Sequence, residues 1–161
     1  WAGARCLAAE VDDAAARRAL ERAALDSLMG ELRLLPGAET LLAALADRPL
    51  GLITNGPSAL QWGKIDRLGL RRRFDAIVVS GDEGVHKPDP RVFAAALARL
   101  GVPAQRALFV GDSLVHDVAG AKGAGLKAVW IGPGGDPPLD APAPDAIVPG
   151  LEALRAWLEE K

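Results

Sequence analysis

The feature that most constrains the fold is an alternation of short apolar runs and helix-like segments that begins after Pro36 and Gly37. Apolar, β-branched runs predict strands over residues 50–54, 74–79, 107–110, 127–131 and 145–148. Segments rich in helix formers predict helices over residues 38–46, 58–68, 91–100, 115–125 and 151–160. Such alternation is typical of a parallel sheet with crossover helices, so we expect a Rossmann-like α/β core flanked by helices.

The region before this core has a different pattern. From Asp12 or Asp13, either of which could cap a helix, an Ala- and Leu-rich segment runs to Met29 and stops at Gly30. The apolar stripe of this helix needs a partner, and the residues upstream offer none. We therefore divide the chain into residues 1–35, a helical appendage, and residues 36–161, the α/β core.

Composition excludes several functional classes. The net charge is −2, and Arg71-Arg72-Arg73 is too short a basic run to indicate nucleic-acid binding. No apolar run reaches the roughly 20 residues that a membrane helix needs. Cys6 is the only cysteine, so no intrachain disulfide can form. We expect a cytoplasmic protein that binds neither nucleic acid nor membrane, and the oligomeric state stays open.

Two carboxylates follow the predicted third strand. Asp112 comes directly after Gly111, and Asp117 falls in the first turn of the next predicted helix. Ligands of open α/β sheets bind in the crevice beyond the strand ends, and Mg²⁺ favours oxygen ligands such as these. The alternative is structural: Asp112 is then a turn residue and Asp117 a helix cap.

Two further strand ends carry polar groups. Thr54, Asn55 and Gly56 offer a hydroxyl, a carboxamide and backbone N–H groups for an anionic oxygen, although the same tripeptide also forms ordinary turns. Lys87 precedes Pro88-Asp89-Pro90, a rigid opening of a helix, and could neutralise a phosphate or lie solvated in its loop. We assign no partner to His86 or His116. Trp62 is expected to be half-buried packing.

Together these segments resemble a known family. Leu52-Ile-Thr-Asn-Gly56, Lys87-Pro-Asp-Pro90 and Gly111-Asp-Ser-x-x-x-Asp117, followed by Gly120-Ala-x-x-Ala-Gly125, are similar to motifs II, III and IV of the haloacid dehalogenase-like (HAD) hydrolases. The best resemblance is to the helical-cap subfamily, which includes phosphoglycolate phosphatases, pyrimidine nucleotidases and acylneuraminate-9-phosphatases. Residues 1–35 then resemble the back half of the cap.

The resemblance implies a role for each matched residue. Thr54, Asn55 and Gly56 would bind the phosphoryl group, and Lys87 would neutralise it. Asp112 would be a Mg²⁺ ligand, with Asp117 in or just behind the metal shell. The implied activity is Mg²⁺-dependent hydrolysis of a small phosphorylated metabolite through an aspartyl-phosphate.

One family motif is missing. The family carries its nucleophile in an Asp-x-Asp at the tip of a strand upstream of the cap, and no such stretch occurs in this sequence. That strand lies mid-sheet, and losing its buried side chains at about 1.5–3 kcal/mol each rivals a domain's whole stability of about 5–15 kcal/mol. We therefore expect an upstream segment before Trp1, and expect the 161 residues alone to be unstable and inactive.

Two rival functions remain. One is a binding or regulatory module that keeps the fold and has lost the nucleophile. The other is a 2-haloacid dehalogenase, which needs no Mg²⁺ and whose fourth motif typically lacks the pair found here as Gly111-Asp112.

Overall fold

A computed structural model describes residues 29–133 and 137–160. The chain divides into two units between Arg33 and Leu34, next to the boundary that the sequence predicts. Only residues 29–33 of the first unit are described, so most of the predicted helix from Asp12 or Asp13 to Met29 lies outside the described residues. Cys6 lies outside them as well. The site is built in the second unit.

The second unit alternates strands and helices as expected. The strands are β1 (Gly51–Thr54), β2 (Ala76–Val79), β3 (Leu108–Gly111), β4 (Lys127–Ile131) and β5 (Ala146–Val148). The helices are α1 (Ala38–Ala44), α2 (Ser58–Arg67), α3 (Ser80–Glu83), α4 (Pro90–Leu100), α5 (Gly120–Gly123) and α6 (Leu151–Glu159). A π-helix, Leu114–Ala119, precedes α5, and 3₁₀ turns cover Leu70–Arg72 and Ala104–Arg106.

The strands form two separate parallel sheets. β1 pairs with β2, so that Thr54 lies opposite Val79. β4 lies between β3 and β5, with Gly111 opposite Trp130 and Trp130 opposite Ile147. Within the described residues, β1 and β3 each have a strand partner on one side only. The predicted parallel α/β architecture is confirmed, and its strands lie in two sheets.

Helices cover both faces of the strands. Adjacent residues Ala128 and Val129 of β4 point to opposite faces, and each is fully buried. Ala128 joins a cluster with Val92 and Phe93 of α4, whereas Val129 packs with Leu154 of α6. These two cores fix the strands, so that the loops at their carboxyl ends are held on a rigid base. Among the described residues, no helix has the length and apolar character needed to cross a membrane.

The structure corrects two local predictions. The segment from Ser80 to Pro90 was expected to be loop, but Ser80–Glu83 form a helical turn that ends at Gly84 with φ 67°. The helix expected over residues 115–125 begins as a π-helix, in which the Val118 N–H donates to the Ser113 carbonyl at 3.1 Å. Apolar periodicity does not distinguish a π turn from an α turn here, because a six-residue segment is too short to define its own period.

Candidate functional site

Hydrogen bonds join the three predicted segments into one site. The Asn55 carboxamide, just after β1, bonds to the backbone of Lys87. The Lys87 ammonium in turn bonds to Asp117, which follows β3. Since β1 and β3 belong to different sheets, this chain of contacts bridges the split between them. The residues that the sequence grouped by motif spacing therefore lie at the same end of the strands.

Asn55 acts as a clamp on the Lys87 loop. Its Nδ2 donates to the Lys87 carbonyl at 3.0 Å, and its Oδ1 accepts from the Lys87 N–H at 2.9 Å. Both ends of the carboxamide are used at once, which fixes the backbone on each side of Lys87. The following Lys87–Pro88 peptide bond is cis. The side chain of Asn55 thus holds the position of Lys87, in addition to any contact with a ligand.

Lys87 and Asp117 form a largely buried ion pair. Lys87 Nζ lies 2.6 Å from Asp117 Oδ1, and the two side chains are 13% and 5% exposed. The ammonium also lies 5.4 Å from the centre of the Phe109 ring, within range of a cation–π contact. Removing both charges from water costs free energy. The pair is stable because each charged group has a close partner of opposite charge.

The second oxygen of Asp117 is also bonded. Oδ2 accepts a hydrogen bond from the Ser113 N–H at 3.0 Å. Gly111 leaves room for this carboxylate, because a Cβ at that position would overlap the Asp117 side chain. A glycine at the end of β3 is therefore required by the close approach of a charged group.

Asp112 differs from Asp117 in exposure and in contacts. It is exposed, and among the described residues no donor hydrogen-bonds to its carboxylate. Its backbone carbonyl accepts a hydrogen bond from Trp130 Nε1 at 2.9 Å. This bond fixes the backbone of Asp112 while leaving the carboxylate toward solvent. The described residues hold no cluster of three or more acidic, His or Cys side chains that could complete a metal site around it.

Sequence reasoning missed three residues that shape the site: Gln61, Ser80 and Trp130. Gln61 accepts a hydrogen bond from the Thr54 hydroxyl, and Ser80 Oγ accepts one from the Gly56 N–H at 2.9 Å. The Gly56 N–H, a predicted donor to an anion, is therefore already bonded to Ser80. The only sequence signal for these contacts is that polar residues occur near predicted strand ends, which is common in loops.

The charged and aromatic residues around the site have local partners. Asp89 caps α4 by accepting from the Arg91 N–H, and the Arg91 guanidinium and N–H lower its pKa to about 2. His116 Nδ1 lies 3.0 Å from Ser113 Oγ, so the expectation that it has no partner is wrong. The capping Ser113 hydroxyl sits beside the ring because it also accepts the His116 N–H.

Trp62 is half-buried, as predicted. Its Nε1 donates to Asp82 at 2.8 Å, and the Arg71 guanidinium lies 4.4 Å from its ring centre. Hydrogen bonds from Ser58 and Trp62 lower the pKa of Asp82. These contacts tie α2 to α3 beside the Thr54–Gly56 turn.

Comparison with known families agrees with this geometry. A model of the haloacid dehalogenase-like hydrolases matches residues 2–125 of the chain. The chain belongs to this family. The match includes Thr54, Asn55, Lys87, Asp112 and Asp117.

Curated relatives of this HAD chain carry phosphatase names. A glyceraldehyde 3-phosphate phosphatase of Pyrococcus abyssi is 45% identical over 62% of this chain and 43% of its own length. A phosphoserine phosphatase of Thermus thermophilus is 41% identical over 75% of this chain and 49% of its own length. An N-acylneuraminate-9-phosphatase of Rattus norvegicus is 40% identical over 67% of this chain and 44% of its own length. The chain thus spans about half the length of the curated relatives it matches.

Solved structures of the family share the fold. A HAD hydrolase of Bacillus subtilis, solved bound to magnesium, is 31% identical and superposes with a TM-score of 0.76 over 88% of this chain and 63% of its own. A 2-haloacid dehalogenase of Pseudomonas syringae is 32% identical, with a TM-score of 0.74 over 92% of this chain and 64% of its own. The fold is therefore shared by phosphatase-type and dehalogenase-type members. Only the site residues can distinguish these two activities.

Proposed function

We propose that the complete protein is a Mg²⁺-dependent phosphatase for a small phosphorylated metabolite. The complete protein comprises these residues together with the expected upstream segment. The observation that carries the proposal is the Lys87 ammonium, which Asn55 and Asp117 hold where the strand ends converge. A fixed cation that is largely shielded from solvent among strand-end loops is suited to bind phosphoryl oxygens and to stabilise charge that develops on them.

The phosphoryl subsite would consist of the Thr54–Gly56 turn and Lys87. Thr54 presents its hydroxyl at the end of β1, and Lys87 supplies a positive charge from the neighbouring loop. Asn55 holds these two elements together by its paired bonds to the Lys87 backbone. Preorganised groups of this kind need little rearrangement as charge shifts during phosphoryl transfer.

The donor chemistry of Asp112 fits a magnesium ion. Mg²⁺ is commonly bound by one or two carboxylates together with waters and substrate phosphates, and the exposed Asp112 carboxylate is such a ligand. Asp117, whose two oxygens are bonded to Lys87 and the Ser113 N–H, suits a place behind the metal shell. When bound, the ion would neutralise charge on phosphoryl oxygens. Further protein ligands would have to come from residues outside the described ranges.

The split between the sheets supports a missing strand that carries the nucleophile. All four residues of β3 are only half-buried, although β4 beside it contains fully buried residues. β1 likewise has the lower burial of its pair. An additional strand between β1 and β3 would cover these edges and bring a carboxylate beside Lys87. Attack of that carboxylate on phosphorus would break the ester P–O bond, release the alcohol and give an aspartyl-phosphate, which water then hydrolyses to inorganic phosphate and the free carboxylate.

The proposal is tested by phosphate release from p-nitrophenyl phosphate by the complete protein. We expect Mg²⁺-dependent turnover that falls by at least about 100-fold in Asp112→Asn, because a ligand to the charge-neutralising ion is lost. Asp140→Asn, in an exposed loop, is the matched control and should keep the wild-type rate. Equal rates for wild type and Asp112→Asn would remove Asp112 from the mechanism.

The second candidate is a non-catalytic binding module. It is favoured by one observation, namely that no Asp-x-Asp occurs in the 161 residues. An Asp-x-Asp after an apolar run in the residues encoded before Trp1 would favour the enzyme, and its absence would favour the module. The 2-haloacid dehalogenase is disfavoured by Asp112, and activity on a 2-haloacid that survives EDTA would revive it.

A further inference from the structure

We propose that Gln61 is a positioning residue for the phosphoryl subsite, acting through the hydroxyl of Thr54. This inference rests on the proposed function. Gln61 lies in the first half of α2, seven residues after Thr54, and its side chain turns back over the Thr54–Gly56 turn. It is half-buried there.

The orientation of the Gln61 amide is determined by the Asn55 carbonyl. Gln61 Nε2 lies 3.1 Å from this oxygen, which can only accept a hydrogen bond. The NH₂ end of the amide must therefore face Asn55. The other end, Oε1, is then directed to Thr54.

The direction of the Thr54 hydroxyl proton follows from this orientation. Thr54 Oγ1 lies 3.0 Å from Gln61 Oε1, and an amide oxygen has no proton to donate. Thr54 must be the donor in this contact. Gln61 thus determines where the only proton of the Thr54 hydroxyl lies and leaves the lone pairs of Oγ1 on its other sides. A phosphoryl oxygen that accepts from Thr54 has to replace Gln61 as the acceptor.

The surrounding turn is built to keep Gln61 in place. A Cβ on Gly56, where φ is 142°, would overlap the Gln61 amide, so only glycine lets the side chain lie flat across the turn. On the other side, Ser80 Oγ accepts the Gly56 N–H. Gly81 packs so closely against the turn that a Cβ there would lie 2.6 Å from the Ser58 nitrogen. The turn is therefore clamped from α2 and from α3.

The test is a double-mutant cycle on the complete protein, with p-nitrophenyl phosphate as substrate and inorganic phosphate as inhibitor. Gln61→Met keeps the length of the side chain and removes both hydrogen bonds. Because a phosphoryl oxygen no longer has to replace Gln61 as the acceptor of the Thr54 hydroxyl, we expect this variant to raise kcat/KM and to strengthen inhibition by phosphate, each by about tenfold. Gln105→Met, on the exposed 3₁₀ turn, is the control for the same chemical change and should match wild type.

The cycle separates positioning from general structural support. In a Thr54→Val background, Gln61→Met should change kcat/KM by less than about twofold, because its effect passes through the missing hydroxyl. Full additivity of the two changes would overturn the inference. If Gln61→Met does not fold, Gln61→Asn, which is too short to bridge both partners, should give the same coupling.

The outcomes also distinguish this inference from the proposed function. Wild-type protein without phosphatase activity would overturn the proposed function, and the inference with it. Active wild-type protein whose kcat/KM is unchanged by Gln61→Met would overturn the inference alone.

Discussion

At the scale of single residues, the two carboxylates of Gly111-Asp-Ser-x-x-x-Asp117 have different environments. Asp117 is buried, with Lys87 on one oxygen and the Ser113 N–H on the other. Asp112 is exposed and is fixed through its backbone by Trp130. Their spacing predicted that both carboxylates are associated with a metal ion. Because Asp117 is buried and Asp112 is exposed, we expect substitutions at the two positions to have different effects on stability.

Asp117→Asn should be strongly destabilising, and Asp112→Asn should not. Removal of the Asp117 charge leaves the Lys87 ammonium buried without its partner, which costs about 3–5 kcal/mol. The free energy of unfolding in urea measures both variants of the complete protein. Asp112→Asn should stay within about 0.5 kcal/mol of wild type, as is usual for exposed positions. Equal losses in the two variants would contradict the separation of roles.

Gly111→Ala tests the close approach of Asp117 to the end of β3. The added methyl group overlaps the Asp117 side chain, so the variant should lose about 1–3 kcal/mol, as overpacked sites do. Gly123→Ala is the matched control, because a Cβ there meets nothing within 4 Å and α5 favours alanine. Similar melting temperatures for the two variants would show that the Asp117 carboxylate does not lie against Gly111.

At the scale of elements, the sequence predicts strands better than the details of helices and loops. β4 has the predicted bounds, and the other strands differ from prediction by no more than two residues at either end. These strands are short and largely apolar, so their pattern is local. α3 is held instead by a contact between distant segments, that of Ser80 with Gly56. The π-helix carries a local bond between Asp117 and the Ser113 N–H, which apolar periodicity does not encode.

Site residues were predictable to the extent that motif spacing defines them. Thr54, Asn55, Lys87 and Asp117 are joined by hydrogen bonds or by adjacency in one turn, as their positions after strands suggested. Ser80 and Trp130 were not predictable, since each bonds to a backbone atom 24 or 18 residues away. Gln61 was not predictable either, since its bond to the Thr54 hydroxyl depends on how its side chain turns back from α2. Which face of an element carries such a contact is determined by tertiary packing.

The junction between β4 and β5 should weaken in acid. Asp145 accepts the Ala128 N–H at 2.7 Å, and this bond, together with Lys122, lowers the pKa of Asp145. A lowered folded-state pKa means that its contribution is present above the unfolded value near 4 and is lost as pH falls through the lower, folded value. The contribution at neutral pH should be about 1–2 kcal/mol, since the side chain is partly exposed.

Urea unfolding at several pH values checks this prediction. The difference in unfolding free energy between wild type and Asp145→Asn should be largest near pH 7 and should shrink below about pH 4. A difference that is the same at pH 7 and pH 3 would show that the Asp145 charge does not stabilise the junction.

At the scale of the whole molecule, the main feature is the split between the two sheets. β1 and β3 each present an edge that has no strand partner among the described residues, and bonds from Asn55 and Asp117 to the Lys87 loop bridge the two sides. Exposed edges of this kind are normally paired or covered. Our account places a strand from the upstream segment between them.

Hydrogen exchange should detect that strand. We expect backbone N–H groups of β1 and β3 to exchange at least about tenfold faster in the chain alone than in the complete protein, because pairing protects them. β5, which borders β4 only, serves as the internal reference. The ratio of the exchange rate in the chain alone to the exchange rate in the complete protein should be larger for β1 and β3 than for β5. Equal ratios for all three strands, in a chain whose circular dichroism shows it to be folded, would show that no strand enters the split.

The central claim is that Lys87, Thr54 and Asp112 form a phosphoryl site completed by a carboxylate outside these 161 residues. The most direct measurement is to quench the complete protein during turnover, reduce any aspartyl-phosphate with borohydride and locate the modified residue by mass spectrometry. The account predicts a single modified Asp upstream of Trp1. Modification of Asp112, or of any other Asp in the chain described here, would contradict it.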